Sequence, residues 1–258
     1  MTANEMWNNV LVTYDALYSQ SAPGFVDPEA SIILTKAQWY YVLQRINPKS
    51  NRNMEGFEET EIRIQELSSL IKDSGDANPP IQKLPTNQQI GTLPGETLWA
   101  IPVDCMLPIY EGCTTNTKQC GITPPVYNRI MTIPISHDEY NLNFSNPYKK
   151  PWTDGTEGII WRLEHGTQSV TYNAVTQERK IHGIIYSTNP NETITNYYMR
   201  YIKYPQDIQI NLSNPLLQVN CKLDPISHQS ICDIAVKLLS AAVREQIPAT
   251  QLSAENLE

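Results

Sequence analysis

Ile135-Ser136-His137-Asp138-Glu139-Tyr140 opens the stretch around which this chain is organised. The stretch continues through Asn146-Pro147-Tyr148-Lys149-Lys150-Pro151-Trp152 and closes on Ile159-Ile160-Trp161-Arg162-Leu163. The closing run reads as a strand, and residues 138–143 read as one helical turn. Further strands follow at 169–174, 180–186 and 195–204. Gly166 separates the first two of the four strands, and Asn189-Pro190-Asn191 the last two. This spacing predicts an antiparallel meander with short hairpin loops. The last strand sets Tyr197, Met199 and Tyr201 against Tyr198, Ile202 and Tyr204. Apolar bulk on both faces places it centrally in the sheet or against another subunit.

Upstream of the stretch, residues 98–101 and 106–110 read as short strands split by Pro102. Residues 112–125 read as a polar loop holding Cys113 and Cys120. Residues 129–135 form a strand with Met131, Ile133 and Ile135 on one face. Before them the apolar period is helical. Thr2 and Glu5 make a capping box, followed by Met6, Val10, Leu11, Tyr14, Leu17 and Tyr18 in a helix over 4–19. Asp27 caps a second helix with Pro28 at its first position; Ile33, Ala37, Tyr40 and Tyr41 mark its buried face, and Asn47-Pro48 ends it. A third helix over 55–73 carries Phe57, Ile64, Leu67 and Ile71 on one side, with Gly75 as its left-handed cap. Asp224 caps a last helix that begins at Pro225 and ends at Pro248. Its apolar face is Ile231, Ile234, Ala235, Leu238 and Ala242.

The chain thus divides into a helical part (1–75), an extended loop (76–97), an antiparallel β part (98–224), a C-terminal helix packing on the helical part (225–248) and a polar tail (249–258). The fold class is α+β, an N-terminal helical bundle and a C-terminal helix packed with an antiparallel β-meander.

A chain of 258 residues holds one large or two small domains with a real core. Charged residues make up 18 % and hydrophobic ones 40 %, which argues against wholesale disorder. The net charge of −8 disfavours tight binding to a phosphate backbone and suits a wall that DNA slides past. Residues 1–9 carry Glu5 and no Lys or Arg, unlike a secretion signal. No apolar run approaches the roughly 20 residues of a membrane span. Folding in a cytoplasm is therefore expected. Cys105, Cys113, Cys120, Cys221 and Cys232 are then free thiols, and the sequons at Asn143, Asn191 and Asn211 carry no meaning.

Chemistry is sparse. Cys221, His228 and Cys232 offer three zinc ligands at one helix, without a fourth; a packed helix face with a buried thiol is the simpler reading. Cys113 and Cys120 lack redox or zinc-ribbon spacing; they read as loop thiols, or as a disulfide in an assembled extracellular particle. His137, Asp138 and Glu139 are adjacent, so their side chains diverge and make no base–orienter pair; Asp138 reads as a turn cap. Asp104, Glu111, Asp154, Glu157 and Glu164 are no more than any acidic chain offers a glycosidase. No nucleophile elbow, Walker loop or dinucleotide fingerprint occurs. Two basic–aromatic spots remain: Tyr148, Lys149, Lys150 and Trp152, and Arg200, Tyr201, Lys203 and Tyr204. Such mixtures bind single-stranded nucleic acid, make protein interfaces, or are a Tyr-rich sheet with solvated Lys. The acidic balance favours protein over nucleic acid.

With Tyr198, Arg200, Tyr201 and Lys203 ahead of Pro205, the 135–163 stretch resembles the head-to-tail adaptor, or ring, proteins of crAss-like podoviruses. Ala22-Pro23-Gly24, followed by Leu34, Lys36, Ala37 and Gln38, is similar to the same group. The loop 112–125 matches none of the family's phrases. The resemblance implies a structural virion protein without catalysis, cofactor or metal. Its copies would close a dodecameric ring beneath the portal protein, touch other tail or ring proteins, extend the DNA channel and join capsid to tail. DNA would pass without sequence-specific binding, and no membrane is involved. The protein would be made in the host cytoplasm and reside in the virion, at the head–tail junction or in the tail. Binding would use the loop 75–95, the sheet edges and the C-terminal tail. Tyr148, Lys149, Lys150, Trp152, Arg200, Tyr201 and Lys203 are the candidate inter-subunit or partner interface. A small carbohydrate- or protein-binding module is the second reading, and a hydrolase the third.

Overall fold

The computed structural model describes residues 1–18, 25–47, 61–84, 96–116, 130–146, 148–153, 158–186, 194–211 and 214–244. Five α-helices are present among them: α1 (Ala3–Tyr18), α2 (Asp27–Ile46), α3 (Glu61–Leu67), α4 (His137–Phe144) and α5 (Pro225–Arg244). The strands are β1 (Ile71–Asp73), β2 (Gln82–Lys83), β3 (Glu96–Ala100), β4 (Cys105–Thr115), β5 (Ile130–Pro134), β6 (Trp152–Thr153), β7 (Gly158–Tyr172), β8 (Val175–Ile185) and β9 (Ile194–Lys203). They belong to a mixed α+β fold. The chain forms two compact units, Met1–Leu70 with Pro205–Glu258, and Ile71–Tyr204.

In the first unit α1 and α2 pack on α5. The capping box at the start of α1 is present in both directions: Thr2 Oγ1 accepts from Glu5 N at 3.2 Å, and Glu5 Oε2 accepts from Thr2 N at 2.8 Å. Met6, Trp7, Val10 and Tyr14 are buried on α1, and Ile231, Cys232, Ala235 and Leu239 on α5. On α2 the buried stripe is Leu34, Ala37, Gln38, Tyr41 and Val42, while Ile33 and Tyr40 are only half-buried. Asp27 is the first helical residue rather than the cap; Val26 occupies that place, and Glu29 Oε2 accepts from its N–H at 3.2 Å. Residues 206–210 run along α2. Gln38 Nε2 donates to Gln206 O at 3.1 Å, Thr35 Oγ1 accepts from Ile208 N at 3.0 Å, and Ser31 Oγ accepts from Ile210 N at 2.9 Å.

The expected third helix is shorter where described. After α3 the chain tightens into a 3-10 turn, Ser68–Leu70, and Ile71–Asp73 is strand. There the backbone pairs with β9, Ile71 against Ile202, which a continuing helix would forbid. Gly75 lies in a second 3-10 turn, Ser74–Asp76. The readings at 19–24, 48–60, 85–95, 117–129 and 245–258 fall outside the described residues.

The second unit is built on a sheet with strand order β1-β9-β4-β5-β7-β8-β3-β2, with β6 added on β7. This corrects the antiparallel meander: its first two strands are the single strand β7, its last, β9, pairs with β1 and β4 rather than with β8, and β5 and β7 are parallel, with Thr132 against Ile160 and Ile133 against Trp161. A parallel pair needs a crossover of a dozen or more residues, usually containing a helix. Residues 135–157 supply it, and the expected single turn is the crossover helix α4. Ser136 caps that helix rather than Asp138: its Oγ accepts from Glu139 N at 3.2 Å, and Glu139 Oε2 accepts from Ser136 N at 3.3 Å. Tyr140 and Phe144, four apart, face the sheet and pack with Trp161, Leu163 and Ile185.

Two strands differ from expectation in extent. β4 runs on through Thr115, so Cys113 is a buried strand residue rather than a loop thiol. β7 runs through Gly166, which sits at φ +82° inside an irregularity of the β7–β8 pairing. The hairpin turn is Asn173-Ala174, with φ 47° and 63°. Positive φ at both central residues matches the right-handed twist of the strands. The core of the unit includes Trp99, Ile101, Cys113, Ile130, Ile160, Ile184, Tyr197, Met199 and Tyr201.

Candidate functional site

The strands β9, β4 and β5 present one face to the core, and the other is exposed at Tyr110, Met131, Ile133 and Arg200 but buried at Gly112, Thr114 and Ile202. Cys113 pairs with Ile130 across β4 and β5, and Gly112 with Met131. Period-two alternation then turns Ile130 and Thr132 inward and Met131 and Ile133 outward. Cys113 Sγ lies 3.3 Å from Thr132 Oγ1 inside the core. Met131 and Ile133 thus share one face of β5, as expected, and it is the exposed one. Met131 is 63 % exposed and Ile133 44 % exposed. Tyr110, 36 % exposed, pairs with Arg200 of β9, which is exposed too. An apolar surface with an arginine beside it has the composition of an interface core.

α4 covers the neighbouring part of this face, over β7 and β8. Beyond it, Asn146 organises the turn that carries the first basic–aromatic spot. Its carbonyl accepts from Lys149 N and Lys150 N, each at 3.1 Å, and its side chain accepts from Tyr148 N at 3.0 Å. Tyr148 is 93 % exposed. Lys149 is exposed, and Lys150 Nζ lies 5.9 Å from the Phe144 ring. Trp152 is half-exposed on β6, in register with Ile159. The second spot divides. Arg200 is at the surface and Lys203 is half-buried, but Tyr201 is completely buried and its hydroxyl donates to Asp104 Oδ1 at 3.0 Å. Tyr201 is therefore a core residue rather than part of a surface: it alternates with Arg200 on a strand paired on both sides. The two spots do not meet, since β4 and β5 lie between β9 and β7. The exposed Tyr110, Met131 and Ile133 occupy that interval.

Beneath this face, on the core side, a polar cluster spans the same strands. Arg162 of β7 reaches past β5 to Glu111 of β4, Nε to Oε2 at 3.1 Å. Arg162 Nη1 lies 3.2 Å from His182 Nε2 on β8. A guanidinium only donates, so Nε2 accepts and Nδ1 carries the proton. Nδ1 lies 3.1 Å from Tyr197 Oη on β9 and 4.0 Å from Glu111 Oε1. Burial pushes the Glu111 carboxyl up to about 7, although the Arg162 charge works against it. Burial also pushes His182 down to about 3, with Arg162 adding to the effect, and raises the Tyr197 hydroxyl well above its ordinary value. The cluster ties β4, β7, β8 and β9 together where β5 and β7 share only three register pairs. No short motif announces it; it forms from residues far apart in sequence.

A second pair lies between β3 and β7. Glu96 Oε1 is 2.7 Å from His165 Nε2, directly over Gly183. A Cβ on Gly183 would collide with both side chains. His137, at the start of α4, lies with its ring edge-on to His165 at 5.4 Å and its Nε2 2.9 Å from Glu164 O. His137 tethers α4, and Glu139 completes the cap.

Among the described residues, thiols and metals add no site. His228 Nε2 is 3.0 Å from Leu223 O and its Nδ1 3.0 Å from the N-terminal amine, while Cys232 Sγ is 3.5 Å from Met6 O. Among the described residues no group of three or more His, Cys, Asp or Glu is placed to hold a metal. Cys105, Cys113, Cys221 and Cys232 are free and buried, and burial pushes Cys105 and Cys113 up to about 12. Arg179, 1 % exposed, donates to Ile101 O and Ala100 O at 2.7 Å and to Pro80 O at 2.9 Å, which fastens residues 80–82 beside β3.

The geometry brings together no catalytic or metal-binding set among the described residues. A family model described as phage tail ring protein 3/4 matches residues 1–251. The chain belongs to that family. It is also 30 % identical over 263 residues to Ring protein 4/5 of Bacteroides phage crAss001, covering 97 % of each chain. The resemblance read from 135–163 and 198–205 is thus correct at the level of family, and the family role is structural, in the phage tail. No helix among the described residues is long and apolar enough to cross a membrane.

Proposed function

We propose that the protein is a connector ring below the portal, where its copies extend the DNA channel and join capsid to tail. The match to the ring family over nearly the whole chain carries this reading. The copies close a dodecamer by head-to-tail contacts and touch the portal on one side and other tail or ring proteins on the other. The work is binding, without catalysis or cofactor. The exposed face of β9, β4 and β5 supplies apolar contact, and Tyr148, Lys149, Lys150, Trp152, Arg200 and Lys203 flank it. The loop 75–95 and the tail 249–258 serve as further contacts. The net charge of −8 suits a channel that DNA crosses without adhering, provided acidic groups face the bore.

The test is the mass of the purified protein, alone and mixed with the portal ring of the same phage, by light scattering after size exclusion. A shift to a portal-bound ring supports the proposal. A protein that stays monomeric in both runs overturns the portal-adjacent position.

A further inference from the structure

The β7–β8 hairpin has two unlike halves. Near the body of the sheet, Gly158–Leu163 is flanked by β5 and β6, and Ile181–Ile185 by β3. Beyond the irregularity at His165-Gly166, residues 167–172 pair with 175–180; Val170 and Arg179 still pack beside β3, and Ile101 N donates to Lys180 O at 2.9 Å, so the part that projects is 171–178. This tip is a short two-stranded arm, and residues 173–178 are all exposed. An isolated two-stranded hairpin is marginal in water, so an arm of this kind gains from something to rest on.

The arm is amphipathic. Register places Tyr172 opposite Val175 on one face and Thr171 opposite Thr176 on the other. The two threonine hydroxyls bond at 2.9 Å, and Val175 is 55 % exposed. From Thr167 to Gln177 the hairpin carries no charge, in a chain of net charge −8. Its apolar tip therefore meets another apolar surface without desolvating a carboxylate.

The same unit holds such a surface, Tyr110, Met131 and Ile133. The arm does not reach its own. Ile133 is in register with Trp161, and Tyr172 lies eleven positions further along β7, roughly 35 Å at about 3.3 Å per residue. A ring built by rotation requires two different, complementary patches on each copy. We propose that the Tyr172–Val175 tip of one copy seats on the Tyr110–Met131–Ile133 patch of the next. This rests on the ring reading above, and it assigns that ring's contact to a donor arm and an acceptor face.

The experiment uses the full chain with Cys120→Ser, so that no cysteine lies outside the described buried thiols. Met131→Cys and Val175→Cys are introduced singly and together, and treated with a short bis-maleimide after ring formation is confirmed by mass. The expected result is a ladder of covalent multimers on a denaturing gel for the double variant alone. Val175→Asp is expected to lose the ring while keeping the wild-type circular dichroism spectrum. Rings that form with the double variant yet give no ladder, or that persist in Val175→Asp, overturn the arm–face contact while leaving the ring reading intact. A Cys120→Ser chain and a wild-type chain that both stay monomeric, with or without portal, remove the ring reading and the contact with it.

Discussion

The two faces of β4 and β5 are made from alternate residues of the same strands, yet they do different work. Inward, Glu111, Cys113, Ile130 and Thr132 are buried, and Glu111 joins an ion pair that reaches across β5 to Arg162. Outward, Tyr110, Met131 and Ile133 stay at the surface of the single chain. The difference teaches that burial inside a subunit, not hydrophobicity alone, decides which face holds the fold. The outward face is the more apolar side of β5, and it is the side left uncovered. The proposed ring contact would cover that side.

Loss of the inner face should therefore cost stability, and loss of the outer face should not. The largest effect is expected from Arg162→Ala, which strands Glu111 without its partner; breaking a buried pair costs about 3–5 kcal/mol. Urea unfolding of the monomer measures it. Next comes a matched pair of truncations. Ile184→Ala empties a fully buried site and should cost about 2–5 kcal/mol, whereas Ile133→Ala should stay within about 0.5 kcal/mol. Equal losses from the two isoleucines would erase the distinction between the faces.

The buried cluster also makes opposite demands on pH. Glu111 is raised to about 7 in the folded chain, so the fold holds its proton more tightly than the unfolded chain does. Its contribution declines as pH rises from the ordinary carboxylate range to about 7. His182 is lowered to about 3, so the unfolded chain takes up its proton first, and stability rises with pH from about 3 to the ordinary imidazole range. The two slopes oppose each other where they overlap. His182→Gln should expose a falling profile in that overlap, and Glu111→Gln a rising one. Identical profiles in both variants would break the assignment.

The smallest effect belongs to the arm. Ala174 sits at φ 63°, a region costly for a residue with a Cβ. Ala174→Gly should stabilise the monomer by about 1 kcal/mol, as seen in its unfolding midpoint.

How much of this was legible depended on the range of the interactions. Thr2 with Glu5, and the Pro-led starts of α2 and α5, are local signals, and the helices stand close to where those signals put them. Ser136 with Glu139 was an equally local signal that His137 and Asp138 obscured. That Met131 and Ile133 share a face of β5 was legible from their spacing, but which face is buried was not. Only the pairing of Ile130 with Cys113 decides it. Gly166 read as a turn because glycine at positive φ serves a bulge as well as a hairpin. The true turn, Asn173-Ala174, lacks the glycine that marks such turns. Of the candidate interface, Tyr148, Lys149 and Arg200 are at the surface, while Tyr201 was lost to the core through alternation with Arg200. The Glu111–Arg162–His182–Tyr197 cluster draws one residue from each of four strands, which no spacing rule finds.

The contrast between the faces is tested most directly by methionine oxidation, read by mass spectrometry in the free chain and in the assembled particle. Met131 is exposed, while Met6 and Met199 are buried within the chain and serve as controls. In the free chain Met131 should oxidise rapidly while Met6 and Met199 resist, and in the assembled particle Met131 should become as resistant as they are. A Met131 that oxidises equally fast in both states would contradict the claim that the outward face of β4 and β5 is an assembly surface.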